Sequence, residues 1–196
     1  MNMDILELSG YNQRIAWQVV KESNIIEIWK SIGAEINIIG SLKTGLLMKN
    51  RDIDFHIYTN DFSIASSFSA MENLAENPSI KEIRYLNRID TEEECIEWHA
   101  IYEDNEMNQW KLDMIHIRKG SKYDGVFERV ADAIAKRLTP EATEAILQIK
   151  FDMPDSIQVS GVEIYRAVLS EGIRNYKDFM EWRKINPLIN ISDWMP

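Results

Sequence analysis

Two aspartates one residue apart, Asp52-Ile53-Asp54, open an apolar run that continues through Phe55-His56-Ile57-Tyr58. This placement constrains the fold more than any other stretch. Ionised carboxylates are poor strand residues and costly to bury. In a strand, residues two apart share a face, so both carboxylates stand side by side. Like charges that close repel unless a cation lies between them. A divalent metal is the natural counterion, and Mg²⁺ takes oxygen ligands from one or two carboxylates plus phosphate. The plainer reading is a strand-edge pair facing water, which acidic proteins tolerate well.

The surroundings give a plan for the chain. Residues 4–30 read as an opening helix, with Ile15, Val19 and Ile26 at helical intervals and Ser23-Asn24 as an interruption. Residues 35–40 and 53–59 read as strands, joined through one helical turn near Lys43 to Leu47. A helix is predicted over 60–76, capped by Asp61 and stopped at Asn77-Pro78. Three strands follow, at 80–89, 95–103 and 109–117, the last two flanking a polar hairpin loop at 104–108. After Gly120 the pattern is helical. Thr139-Pro140 restarts a helix, and Ser160 with Glu163 has capping-box spacing before an amphipathic segment reaching Trp182. The expected class is α+β: a mixed or antiparallel sheet over residues 1–120, and a C-terminal helical region over 121–196 packed on or beside it.

Two further features bear on the acids. Gly40-Ser41 ends the first strand, and a glycine there lets backbone approach a ligand. A turn leading into a helix also offers N–H groups to an anion. Asp113 lies among apolar neighbours in "WKLDMIHI", where it is either a third acid of the site or an edge residue alternating with Lys111. Lys43 could meet a phosphate as a point charge, or remain a solvated loop lysine. His56 shares the face of Asp54 by strand period, His116 is opposite Asp113, and both read as structural. Trp98, Tyr102 and Trp110 read as sheet core. Asp90, Glu92, Glu93, Glu94 and Glu97 form an acidic run, read as a solvated loop that could also select a cationic acceptor.

"IIGS", ten intervening residues, "DIDFHI" and a later apolar-flanked acid in "LDMI" together resemble the nucleotidyltransferase superfamily of the DNA polymerase β type. Gly45, four residues past Ser41, also fits its glycine pattern. The resemblance covers about residues 30–118. It implies a nucleotidyltransferase-like mixed β-sheet flanked by helices. It also implies transfer of a nucleoside monophosphate, AMP first, from a nucleoside triphosphate to an acceptor hydroxyl, with pyrophosphate released. Asp52 and Asp54 would then hold Mg²⁺, Asp113 would ligate a second metal and help activate the acceptor, and Gly40 and Ser41 would contact the β/γ-phosphates. A catalytically silent nucleotide-binding or regulatory relative is the alternative. It would usually have lost one of these elements, and here all of them stand.

Composition narrows the class. At 196 residues, 45% hydrophobic and 28% charged, the chain reads as an ordinary globular protein. No apolar run approaches the ~20 residues that span a bilayer. The opening "MNMDILELSG" lacks a basic segment, so no secretory signal is expected and a cytoplasmic location follows. Cys95 is the only cysteine, which rules out an intrachain disulfide and a cysteine-based zinc site. The net charge of −10 disfavours a nucleic-acid acceptor, and the family resemblance then implies a small molecule, antibiotic-like, or a protein as acceptor. The helical tail leaves room for an acceptor-side wall or a homodimer interface.

Overall fold

The fold is that of a computed structural model describing residues 4–186 and 194–196. Of the helical region expected over 121–196, residues 187–193 lie outside the described residues, as do 1–3 of the opening segment. The chain forms two compact units. One comprises residues 14–39 and 51–125, the other 1–13, 40–50 and 126–196.

The first unit is built on a five-stranded sheet of order β1-β2-β5-β4-β3. The strands are β1 (Glu35–Ile39), β2 (Asp52–Thr59), β3 (Ile80–Arg88), β4 (Cys95–Glu103) and β5 (Gln109–Arg118). Only the β2–β5 pair is parallel; the other pairs are antiparallel, so the sheet is mixed. The period of two sorts its residues onto two faces. Ile53, Phe55, Met114, Trp98 and Ala100 share the apolar face, all buried. Helix α2 (Ile25–Ser31) and helix α4 (Ile64–Ala75) pack there. Trp29 meets His116 edge-on at 5.5 Å between ring centroids, and Trp98 Nε1 donates to Ser67 Oγ at 2.6 Å.

The opening helix breaks where the sequence marks it. Helix α1 (Ile5–Glu22) gives way to α2 through Asn24, held at φ +55°. Asparagine accepts this left-handed geometry more readily than most residues. Ser63, not Asp61, caps α4: its side chain accepts from Ser66 N–H. The helix therefore begins later than expected, because Asp61 still belongs to the turn, where its carbonyl takes the Thr59 hydroxyl at 3.1 Å.

The β4–β5 hairpin turns on one carboxylate. Asp104 accepts from the backbone N–H groups of Glu106 and Asn108 at 2.9 Å each, and from Trp110 Nε1 at 3.0 Å. Partial burial pushes its pKa up, but the bonds from Trp110 and Asn108 outweigh that and hold it below the usual aspartate range.

The second unit is helical. Helices α5 (Val126–Arg137), α6 (Pro140–Asp152), α7 (Gly161–Leu169) and α8 (Tyr176–Ile185) enclose an apolar core that includes Leu46, Ile146, Ile149, Val168 and Phe179. Thr139 caps α6 with Pro140 in its first turn, and Ser160 with Glu163 forms the capping box of α7, as the sequence predicts. The amphipathic segment is not continuous to Trp182. Gly172, at φ +72°, turns the chain, Ile173 N–H returns to Ala167 O at 3.1 Å, and Asn175 caps α8. Buried Glu163 joins the two helices: one oxygen takes Ser160 N–H at 3.1 Å, the other Arg183 Nε at 2.9 Å.

Two stability predictions follow from these carboxylates. Glu163→Ala removes a cap and strands Arg183, so it should cost about 2–4 kcal/mol by urea denaturation; a loss under about 0.5 kcal/mol would contradict the joint role. Asp104→Asn should cost about 1–3 kcal/mol at neutral pH. The folded pKa of Asp104 is depressed, so its contribution is present above the ordinary aspartate value and lost as pH falls through the folded one. The gap between wild type and Asp104→Asn should therefore shrink between about pH 5 and about pH 2.

Candidate functional site

Strand pairing decides which side chains meet. Parallel pairing sets Asp54 beside Asp113 and Asp52 beside Lys111. All four lie on the sheet face opposite α2 and α4, and each is partly buried. The same face continues onto β4, where His99 pairs with Asp113 and Glu97 with Ile115. Toward the far ends of the strands it turns apolar: Tyr58, Cys95 and Ile117 cluster there with Ile115 and Tyr123. Burial, with the nearby carboxylates of Glu97 and Glu93, pushes the Cys95 thiol up to about 12, so it stays protonated. This face therefore runs from a sealed apolar end to a charged one, and the acids sit at the charged end.

Asp113 has a donor on each oxygen. His99 Nδ1 is 2.5 Å from Oδ1, and Lys111 Nζ is 2.8 Å from Oδ2. The other ring nitrogen of His99 faces Glu97 Oε2 at 3.5 Å. Burial alone would lower the pKa of Lys111. The hydrogen bond to Asp113 and the charges of Asp113, Asp52 and Asp54 reverse that and raise it. The three carboxylates thus act together on one positive group.

That field is what a bound cation requires. Carboxylate oxygens are the ligands a hard divalent ion prefers, and Mg²⁺ needs only one or two of them beside waters and substrate phosphate. Asp52 and Asp54 supply such a pair from one strand. Among the described residues, no group of three or more His, Cys, Asp and Glu side chains is gathered to hold a metal ion. A third protein ligand from Asp113 would require Lys111 to leave Oδ2, which its flexible stem permits.

The remaining expected residues belong to the helical unit. Gly40 follows β1 directly and starts α3 (Gly40–Thr44), a single turn. Its φ of +66° is one that glycine adopts without cost. Ser41 Oγ lies 3.0 Å from the Tyr165 hydroxyl and accepts from Lys150 Nζ at 2.9 Å. Lys150 also donates to Leu46 O and to the Tyr165 hydroxyl, each at 2.8 Å. Lys43 is about half exposed and 3.8 Å from Asp132 Oδ1, a contact too loose to hold it.

The histidines divide by face as the strand period predicts. His116 is fully buried on the helix-packed face, 2.9 Å from Thr59 Oγ1, and burial lowers its pKa to about 4. His56 lies on the face of Asp54. Sequence reasoning missed His99, Lys150 and Tyr165, and named Lys111 only as the residue alternating with Asp113. For Lys150 one signal existed, a lone cation in the apolar stretch "AILQIKF". His99 carries none, since its position beside Asp113 arises only from the β4–β5 register.

A nucleotidyltransferase domain model matches residues 22–151 of the chain. No curated protein sequence matches it. Among solved structures it is similar to the Cid1 poly(U) polymerase, with a TM-score of 0.52 and 16% identity, over 86% of this chain and 55% of that one. A cytoplasmic RNA terminal U-transferase gives 0.51 and 15%, over 81% and 51%. The polymerase core of the RNA surveillance complex TRAMP gives 0.51 and 17%, over 80% and 48%. This chain thus spans about half the length of those structures. At such identities the likeness speaks for the fold, a mixed sheet flanked by helices. The expectation that nucleic acid is disfavoured draws no support from these neighbours, whose names are those of RNA-acting proteins. No helix among the described residues is long and apolar enough to cross a membrane. With the family match extending over about two thirds of its residues, the chain belongs to the nucleotidyltransferase domain family.

Proposed function

We propose that this chain transfers a nucleoside monophosphate from a nucleoside triphosphate, ATP first, to a hydroxyl or similar group on a small, antibiotic-like molecule or a protein. The observation that carries this reading is the register of Asp52, Asp54 and Asp113 on adjacent parallel strands, opposite the helix-packed face. In the reaction the acceptor oxygen bonds to the α-phosphorus, the bond to the bridging oxygen breaks, pyrophosphate leaves, and the acceptor proton is released. Such transfer depends on charge neutralisation and in-line positioning more than on covalent chemistry. Mg²⁺, held by Asp52 and Asp54, would supply that neutralisation when bound, with Asp113 in line for a second ion.

This chain's own residues supply the rest. Asp113 offers an acceptor oxygen for the proton of the incoming hydroxyl. Gly40 brings backbone near phosphate without a side chain in the way. Ser41, its hydroxyl shared with Lys150 and Tyr165, would contact the β/γ-phosphates, as the family resemblance implies. Lys43 stands as a further phosphate contact. The acidic balance of −10 is the ground for placing small molecules and proteins before RNA.

A second reading, a nucleotide-binding protein without turnover, draws on Lys111 and His99 already engaging Asp113. One assay separates the two: Mg²⁺-dependent pyrophosphate release from each nucleoside triphosphate, with amino sugars, purified proteins and a short oligoribonucleotide as acceptors. Turnover with an amino sugar or protein supports the proposal. Turnover with RNA alone would overturn the acceptor order, and nucleotide binding without turnover would favour the second reading. Asp52→Ala and Asp54→Ala should each fall below about 1% of wild-type turnover while their melting temperatures hold or rise, since a repelling pair is removed.

A further inference from the structure

Resting on that reading of the acids, we propose that His99 is a positioning residue for Asp113, one that sets which carboxylate oxygen is presented to the metal and the acceptor. The ring sits on β4 directly opposite Asp113, with Nδ1 2.5 Å from Oδ1. A carboxylate can only accept, so Nδ1 carries the proton in this bond. Glu97, two residues earlier on the same face, lies 3.5 Å from Nε2. Arg88 Nε on the neighbouring strand β3 lies 3.6 Å from Glu97, beyond hydrogen-bond reach. The series Arg88, Glu97, His99, Asp113 thus crosses three adjacent strands.

The two donors on Asp113 differ in kind. His99 is a stiff ring on a strand inside the sheet, with 23% of its side chain exposed. Lys111 reaches Oδ2 with a flexible stem, 43% exposed. When a cation competes for Asp113, the lysine can swing away at little cost and the histidine cannot. Oδ1 therefore stays tied and Oδ2 becomes the reactive oxygen. A ligating carboxylate fixed by a hydrogen bond of this sort characteristically gains about 10–100-fold in metal affinity or activity. His99 acts through Asp113 and touches neither substrate nor metal.

The test uses the full chain, with Mn²⁺ as probe, followed by electron paramagnetic resonance with and without ATP, alongside kcat and KM for ATP. His99→Ala should weaken the Asp113-dependent Mn²⁺ site by about 10–100-fold and lower kcat, with KM for ATP little changed. His99→Asn, whose amide nitrogen can take the place of Nδ1, should recover most of that loss; His99→Gln, whose amide lies further out, should not. Asp113→Ala marks the Mn²⁺ signal that belongs to Asp113. If that variant loses the signal while His99→Ala keeps wild-type affinity and kcat, the positioning proposal fails and the functional reading stands. If the Asn and Ala variants lose equally, the hydrogen bond is not the cause and the proposal fails. If wild type shows no Mn²⁺ binding with ATP, the functional reading fails and takes the proposal with it.

Discussion

The parallel pairing of β2 with β5 is the constraint on which the candidate site depends. Antiparallel neighbours in a meander would be joined by short hairpins, whereas here β2 and β5 are separated by α4, β3 and β4. That insertion brings Asp54 and Asp113, 59 positions apart in sequence, into lateral register. It also puts the sheet's other strands, β4 and β3, outside β5, so the polar residues of β4 flank the acids. The apolar face pays the folding cost through Trp98, Phe55, Leu112 and Met114, all buried. The opposite face is thereby released to carry charge.

Much of this was legible in the sequence. The strands and most helices follow from period-two and period-3.6 patterning, and the caps at Thr139 and Ser160 from their local chemistry. The division of His56 and His116 between faces follows from counting by twos along β2 and β5. The departures have local causes. Asp61 and Ser63 are both competent caps two residues apart, and only the turn's own hydrogen bond to Asp61 O decides between them. The segment after Ser160 keeps a helical period through Gly172, so the pattern alone gives no break. Gly172 there takes a left-handed conformation that ends the helix.

The candidate site was legible as a pattern of acids and glycines, and illegible in the residues that hold them. His99 acts through cross-strand register, which no window of local sequence contains, whereas Lys111 reaches Asp113 from two residues away on the same strand. Lys150 and Tyr165 meet Ser41 across more than a hundred residues. Short-range motifs thus mark where charge gathers, and long-range pairing determines what answers it. Lys111 draws the three acids together as one group on this face: its pKa is raised against burial, first by the hydrogen bond to Asp113 and then by the charges of Asp113, Asp52 and Asp54.

The central claim is that this group binds a metal–nucleotide complex. Its most direct measurement is a titration of Mn²⁺ into the wild-type chain with a non-hydrolysable ATP analogue, read by water-proton relaxation, beside the Asp52→Ala and Asp54→Ala variants. The account predicts nucleotide-dependent Mn²⁺ binding in the wild type that both substitutions abolish. Equal binding in all three proteins, or none in the wild type, would contradict it.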